Sequence, residues 1–545
     1  MLHRLFSPKM LLTQLDLPST NGEKHFLRGR NWYDCYKPQG MSEINHCLDV
    51  LLQVQYQLLF IMICVLGIGG SFHYGFQISV VNAPSPFIKS FINETWQTRY
   101  NSYVSENICT LLWSSIVSIY SIGGVIGALA AGYLSQRYGK KKCQLCNSLI
   151  PVGAALLSGL SREAGSFEMI MVGRFFLGLT SGLGLSLHAQ YAGEIAPRKF
   201  RGFTNTSISI FVTIGKCFGQ IFGLREILGT ETLWPLLLAA SGISSAIQLV
   251  TLPFFPESPP YLLMQKGNKE ACIKAIKQLW GEGDHHDEIE DMMREQAARK
   301  GTKILSILEL LREKSLRWQL YCVFALIIAL QLCGINAIYF YSYDVFQKAG
   351  FPPDKIPYIT LGVGICEVTS VILCSLLVER FGRKTLLLSG YVLMILTLGL
   401  LTVTLSLQKQ FSWMPFCSVA LIFMFNISFG AGPGGVSITM CVEMFGQSSR
   451  AAAFVIVGFL NWIGLYLLGM IFPYIAAGLG HFCFLIFLGI TAISGIFAYL
   501  FLPETKGKSI LEISEEFNKL NFRRKHDRVT TEDFQLQQCT VSTKF

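Results

Sequence analysis

The chain has 545 residues, of which 51% are hydrophobic and 15% charged, with 50 glycines, 40 phenylalanines and a formal net charge of +10. A soluble enzyme carries about a quarter charged residues. Here the apolar residues come in runs that are apolar all round, such as "LLFIMICVLGIGG" and "SVALIFMFNISF", which excludes a soluble globular fold and indicates a polytopic, all-α membrane protein.

Residues 1–56 are mostly polar, contain no removable signal peptide and are expected to be a disordered cytoplasmic segment. Twelve spans are predicted after them, at 57–82, 109–136, 143–161, 166–190, 200–223, 232–254, 317–343, 355–379, 384–407, 413–445, 450–476 and 481–502. They group as a six-helix half at 57–254 and a second at 317–502. A helical segment lies between them at 255–316, and a tail follows at 503–545. Placing the N-terminus inside puts 36 of the 45 lysines and arginines on the inner side and 7 on the outer side, with Arg174 and Lys216 within spans. That asymmetry predicts cytoplasmic termini. The positive charge then reflects topology and the inner lipid leaflet, and no nucleic-acid partner is expected. The sequon Asn93-Glu94-Thr95 falls in an outer loop, where Asn93 can be glycosylated. The sixteen cysteines sit mostly singly in apolar runs. Cys143 and Cys146 form a CxxC without a second pair, a poor zinc site.

The chain is duplicated. "GYLSQRYGKK" at 132–141 recurs as "SLLVERFGRK" at 375–384, "GEIAPRKFRG" at 193–202 as "VEMFGQSSRA" at 442–451, and "PESP" at 256–259 as "PETK" at 503–506. The offsets are 243 (Arg137 to Arg380), 249 (Glu194 to Glu443, Arg201 to Arg450) and 247 (Glu257 to Glu504). A near-constant offset of about half the chain means two six-helix halves in the same orientation, the arrangement that carries a midplane site and alternating access. With Arg174 and Glu379, these residues are candidates for inner-gate ion pairs that hold the halves together in one state and part in the other. The alternative is that the basic residues merely satisfy the positive-inside rule.

"LQLCGINAIYFYSY" at 330–343 carries Gln331 and Asn336, and amides are costly to bury in hydrocarbon without partners. Five apart, they point about 140° apart on a straight helix and reach one ligand only if the helix bends, which Gly334 permits. A polyhydroxylated ligand needs such amides, which donate and accept together, and aromatic faces. The alternative is helix-to-helix glue. Gln77 and Asn82 repeat the spacing on the first span, with His73 nearby. Lys216 lies seven residues after Ser209, hence on the same face of the fifth span, and Glu367 lies at the centre of the eighth. Each charge is expensive in lipid and should face the cavity or a partner.

"GYLSQRYGKK", "VGRFFLGL", "GEIAPRKFRG", "PESP", "LQLCGINAIYFYS", "VERFGRK", "FGAGPGG", "NW" and "PETKGK" together resemble the sugar porter family of the major facilitator superfamily, over about residues 57–520. Within it, "NAPSPFIKSFINETW" resembles the class II, fructose-type facilitative hexose transporters. The resemblance implies a major facilitator fold that binds sugar through Gln331, Asn336 and the Asn461–Trp462 pair, Trp462 offering a stacking face. It further implies an outer gate at Phe340, Tyr341 and Tyr343 and a bendable tenth span at Gly432, Pro433 and Gly434. Ile438 stands where glucose-preferring relatives have a tryptophan, which widens the pocket. Ser209 and Leu330 replace two sugar-binding glutamines, Glu367 an asparagine, and His188-Ala189 a Val-Pro. Pro260 and Gln136 depart from the family's inner-gate pattern.

In that fold the fifth and eighth spans are neighbours across the halves, so Lys216 and Glu367 are expected to pair across the cavity wall, where substrate competes for them. The alternatives are a purely structural bridge or a Lys216 that reaches outward to water. The implied function is uniport of fructose and/or glucose across the plasma membrane by a monomer, without covalent chemistry or cofactor. Proton symport is the nearest rival, although relatives that do this carry an Asp on the first span, which has no acid here. An organic-anion carrier, drawing on Lys216, His73 and His188, and a non-transporting sugar receptor are further alternatives. No nucleophile elbow, metal cluster or phosphate loop points to an enzyme.

Overall fold

In hydrocarbon every backbone N–H and C=O must be satisfied within its own segment, so each apolar run folds as a helix. The computed structural model describes residues 56–197, 200–281, 283, 285–286, 288–290, 292–294, 305–508 and 510–521. Of residues 201, 202, 205, 379, 442, 447, 451, 510 and 511 it describes the backbone alone. The expectations for residues 1–55 and for the tail beyond 521 lie outside the described residues.

The first half consists of α1 (Gln57–Ser79, with a π-helical turn at Ile68–Phe72), the short α2 (Ser85–Tyr100), α3 (Glu106–Tyr138), α4 (Lys140–Gly159), α5 (Phe167–Ile195), α6 (Arg201–Phe222) and α7 (Trp234–Phe254). Three short helices follow, α8 (Pro259–Met264), α9 (Lys269–Trp280) and α10 (Ile307–Arg312). The second half runs through α11 (Arg317–Leu332), α12 (Ile335–Lys348), α13 (Ile356–Phe381), α14 (Arg383–Leu407), α15 (Met414–Ala431), α16 (Pro433–Glu443), α17 (Gln447–Leu479) and α18 (Cys483–Phe501), and α19 (Ile510–Asn521) closes the described chain. Twelve crossings result, because α11 with α12 and α15 with α16 each form one broken span.

Among the described residues, nine stretches are long and apolar enough to cross a membrane by length and hydropathy alone, and the last of these, Ser448–Phe501, runs through both α17 and α18. The other two crossings fall short for a local reason. α4 opens on the polar "KKKCQLCNS" and α6 on "RGFTNTS".

The short helices carry their own start signals. Ser258 and Asn268 accept from the backbone N–H groups of Tyr261 and Ala271, and Ser306 with Glu309 forms a capping box. Trp280 seals α9 against the end of α5, its indole N–H donating to the Ile195 carbonyl at 2.8 Å. α19 is tied to the start of α11, where Asn521 donates to the Ser315 carbonyl (2.5 Å) and accepts from the Trp318 N–H (3.2 Å). These elements define one end of the bundle, called here the terminal face. The halves meet along α3 with α17 and along α6 with α13.

Candidate functional site

The site is built on a broken helix. α11 stops at Leu332 because Gly334 adopts φ +101°, a conformation that side-chain-bearing residues rarely hold, and α12 restarts at Ile335. The break brings together two side chains that a straight helix would splay. Asn336 Nδ2 donates to Gln331 Oε1 at 2.7 Å, and Gln331 Nε2 donates to Asn461 Oδ1 at 2.5 Å. The result is a chain of three amides from α11, α12 and α17, with Gln331 and Asn336 buried and Asn461 half-buried. Beside it Trp462, 1% exposed, packs edge-on to Tyr74 and Tyr120 at centroid distances of 5.3 and 5.4 Å. Its ring also lies against Gly124, so the stacking face expected for a ligand is covered by α1 and α3 in this conformation.

Lys216 and Glu367 meet across the halves, Nζ to Oε1 at 2.8 Å, with side chains 7% and 3% exposed. The Tyr339 hydroxyl of α12 donates to Glu367 Oε2, and its ring lies 4.3 Å from Lys216 Nζ. Ser209, two turns earlier on α6, is half-buried, and its carbonyl accepts from Thr213 at 3.2 Å. Gln77 faces elsewhere than a ligand. Its carbonyl (2.9 Å) and Oε1 (3.3 Å) accept from the guanidinium of Arg174, which also reaches the Ile116 and Val117 carbonyls and lies 4.6 Å from the Tyr120 ring. His73 contacts Ser244 at 3.3 Å and His188 contacts Ser71 at 2.6 Å, so both histidines pack into the first half.

The face opposite the termini is closed. Asn82 donates to Ser342 and accepts from the Tyr343 N–H at 3.0 Å, Lys89 pairs with Asp344 at 3.1 Å, and Tyr358 donates to Glu226, each contact crossing the halves. Phe340 and Tyr341 are buried, and α12 kinks at Tyr341, whose hydroxyl donates to the Gly469 carbonyl at 2.5 Å. Gly432 (φ −119°, ψ −104°) ends α15, and Pro433, which has no N–H to donate, begins α16 with Gly434 after it. Ile438 on α16 is 46% exposed rather than buried in a pocket wall.

The residues grouped as inner-gate charges divide. Arg174 does not belong with them: it lies twenty residues before Glu194 on α5, about 30 Å of helix away. Glu257 accepts from the N–H groups of Lys140 and Lys141, and Glu504 from those of Arg383 and Lys384, so both cap helix starts instead of bridging to an arginine. Four unpaired N–H groups at a helix start attract a carboxylate strongly enough to explain this. Burial acts to raise the Glu504 carboxyl, but the N–H groups of Lys506, Arg383, Lys384 and Thr505 outweigh it and hold the group below its ordinary range. Glu194 pairs with Lys140 at 2.8 Å, and Glu443 with Arg383 at 3.4 Å, each within its own half. Arg137 stacks near Tyr133 and Tyr138, Arg380 near Phe381, and Arg450 donates to the Phe445 carbonyl. The side chains of Arg201 and Glu379 lie outside the described residues. Asn93 is exposed, but on helix α2 and not in a loop.

Two participants escaped the sequence reading. Tyr339 was legible only as one aromatic among several. Gln220, one turn beyond Lys216 on α6, is buried, and neither atom of its amide has a hydrogen-bond partner among the described residues. It lines a small cavity between the halves with Ser79, Asn82, Tyr343 and Thr360. The i, i+4 spacing from Lys216 was the available signal.

The profile of the family described as "Sugar (and other) transporter" matches residues 62–517. The human solute carrier family 2, facilitated glucose transporter member 11 is 43% identical over 487 residues, covering 89% of this chain and 98% of that protein. Facilitated glucose transporter member 5 of Equus caballus is 39% identical over 84% of this chain and 91% of its own length. Among solved structures, the proton:xylose symporter XylE bound to 6-bromo-6-deoxy-D-glucose superposes with a TM-score of 0.67 at 21% identity, covering 85% of this chain and all of that one. An inward open conformation of XylE from E. coli gives 0.67 at 20% identity over 84% of this chain and 99% of that one. This likeness establishes the twelve-helix fold.

Proposed function

The chain belongs to the sugar (and other) transporter family, and on that premise we propose that it carries hexoses, fructose and/or glucose, passively across a membrane by alternating access. The observation that carries this reading is the amide chain Asn336–Gln331–Asn461. It sits at a helix break beside Trp462 and offers paired donors and acceptors that satisfy one another until sugar hydroxyls replace them. Substrate binds there, the halves rock about the α3–α17 and α6–α13 seams, and the sugar leaves down its gradient.

Passive carriage is favoured because the partner that α1 offers the buried Arg174 is Gln77, a neutral amide with no proton to exchange. An organic-anion substrate is disfavoured because Lys216 is engaged by Glu367 and Arg174 by carbonyls and the Gln77 amide. The excess of basic residues on the terminal face supports a cytoplasmic placement of both ends, with the opposite face and Asn93 outside, at the plasma membrane. A monomer contains the whole site.

Exchange of labelled fructose and glucose across proteoliposomes holding the full chain tests the proposal. Saturable exchange of either sugar that Asn336→Ala weakens supports it, and exchange of neither sugar overturns it.

A further inference from the structure

The α6–α13 seam holds a buried ion pair that joins the two halves. Lys216 comes from the first half and Glu367 from the second, and both are almost fully buried. Tyr339 joins them from α12, three residues beyond Asn336. One oxygen of Glu367 accepts from Lys216 and the other from Tyr339, while the lysine ammonium rests on the tyrosine ring. The other contacts of charged side chains that close the opposite face differ in setting. Lys89 and Asp344 are about a third exposed, and Glu226 meets Tyr358 at the solvent-exposed edge.

Separating two charges in a dry seam is unfavourable unless each finds a new partner as the old one leaves. Water alone serves poorly in a narrow cleft with low-dielectric walls. A solute with several hydroxyls serves both charges together: its O–H groups donate to the carboxylate and its oxygens accept from the ammonium. The capacity is present, because Lys216 uses one of three N–H donors and Glu367 two of about four acceptor sites.

We propose that Lys216 and Glu367 are a positioning pair that latches the halves shut on the face opposite the termini. The latch holds α12 through Tyr339, and its opening is eased by a polyhydroxylated solute. The pair sets how fast the carrier turns over, and how much faster it turns when loaded than when empty, rather than how tightly sugar binds. This deepens the hexose-carrier reading and rests on it.

The test compares the full-length protein with Lys216→Met, Glu367→Gln and the double variant in proteoliposomes. Net uptake into sugar-free vesicles is measured against exchange between sugar-loaded ones. For the native protein, exchange should exceed net uptake severalfold. Lys216→Met strands a carboxylate in the closed state through which every cycle passes and should slow both processes by about a hundredfold or more, the factor that one unpaired buried charge produces. The double variant removes both charges. It should recover most of the rate and bring exchange down to about the net rate, with half-saturation within about threefold of native. An unchanged exchange-to-net ratio in the double variant overturns the latch, as does a tenfold shift in half-saturation at constant maximal rate.

Hydrogen exchange of the full chain in lipid nanodiscs gives a second readout that needs no sugar flux. Loss of Lys216 should raise exchange in α12 and in the first turns of α13. Unchanged protection there overturns the latch even in an active carrier. Raised exchange in a chain that moves no hexose leaves the latch standing and overturns only the hexose reading.

Discussion

Glu257 and Glu504 make equivalent contacts 247 residues apart. Each carboxylate accepts from the first two N–H groups of a membrane helix, Lys140 and Lys141 of α4 at 3.1 and 3.0 Å, and Arg383 and Lys384 of α14 at 3.0 Å each. The glycine before each helix holds the same backbone geometry, φ +90° at Gly139 and +89° at Gly382. A Cβ there would sit 2.5 or 2.7 Å from the capping carboxylate. The repeat seen in the sequence is thus a repeat of helix-start chemistry. Its glutamates hold each half together and do not themselves bridge to the other half.

Glu504→Ala should therefore destabilise the protein, by about 2 kcal/mol for charge-assisted bonds lost at a helix start. A lower thermal midpoint in detergent would show it. Because folding holds the Glu504 carboxyl below its ordinary value of 4.5, its contribution is complete above that pH and fades as the pH falls through the folded value. The gap between native and Glu504→Ala midpoints should accordingly be full near neutrality and shrink below about pH 4.5.

Gly334→Ala should abolish transport with little loss of expression elsewhere in the fold. The positive φ disfavours any side chain, and a Cβ would lie 2.6 Å from the Phe487 ring. The helix would be pushed to straighten, parting Gln331 from Asn336. Normal insertion with uptake near background is the expected outcome. Native-like uptake would mean that the break is incidental.

Asn336→Ala and Asn461→Ala should each raise the half-saturation constant for sugar by about tenfold, the size of one or two lost hydrogen bonds. The double variant should raise it by less than the product. Gln331 links the two amides, and groups that share one network lose their effect together. Strict multiplicativity would argue that the three amides act separately.

Ile438→Trp should fold normally, because a residue 46% exposed has space beside it. If α16 swings this position toward substrate as the halves rock, the indole should lower the fructose-to-glucose uptake ratio severalfold. An unchanged ratio would place Ile438 at the lipid boundary.

Much of the fold was legible in the sequence, because hydrocarbon forces helices and the duplicated motifs give the symmetry. The Lys216–Glu367 contact was also legible, since two charges within spans must find partners. Side-chain direction was less so. Arg174 reads as a charge within a span, and only the packing of α5 shows that it serves Gln77 and the Ile116 and Val117 carbonyls, far from the inner-gate candidates grouped with it. Glu257 and Glu504 look like ion-pair partners in a motif full of arginines, but the backbone N–H groups that they cap carry no sequence signature. Gln220 and Tyr339 gain their significance from α13 and α6, which are distant in sequence.

The most direct measurement is uptake of labelled fructose and glucose into proteoliposomes holding the purified protein, with and without an inward proton gradient. Passive hexose carriage requires that at least one sugar equilibrate, to the same final level whether or not the gradient is present. Accumulation above the external concentration under the gradient would contradict it and make Glu367 the first residue to examine for proton coupling. Failure of both sugars to enter would contradict it outright.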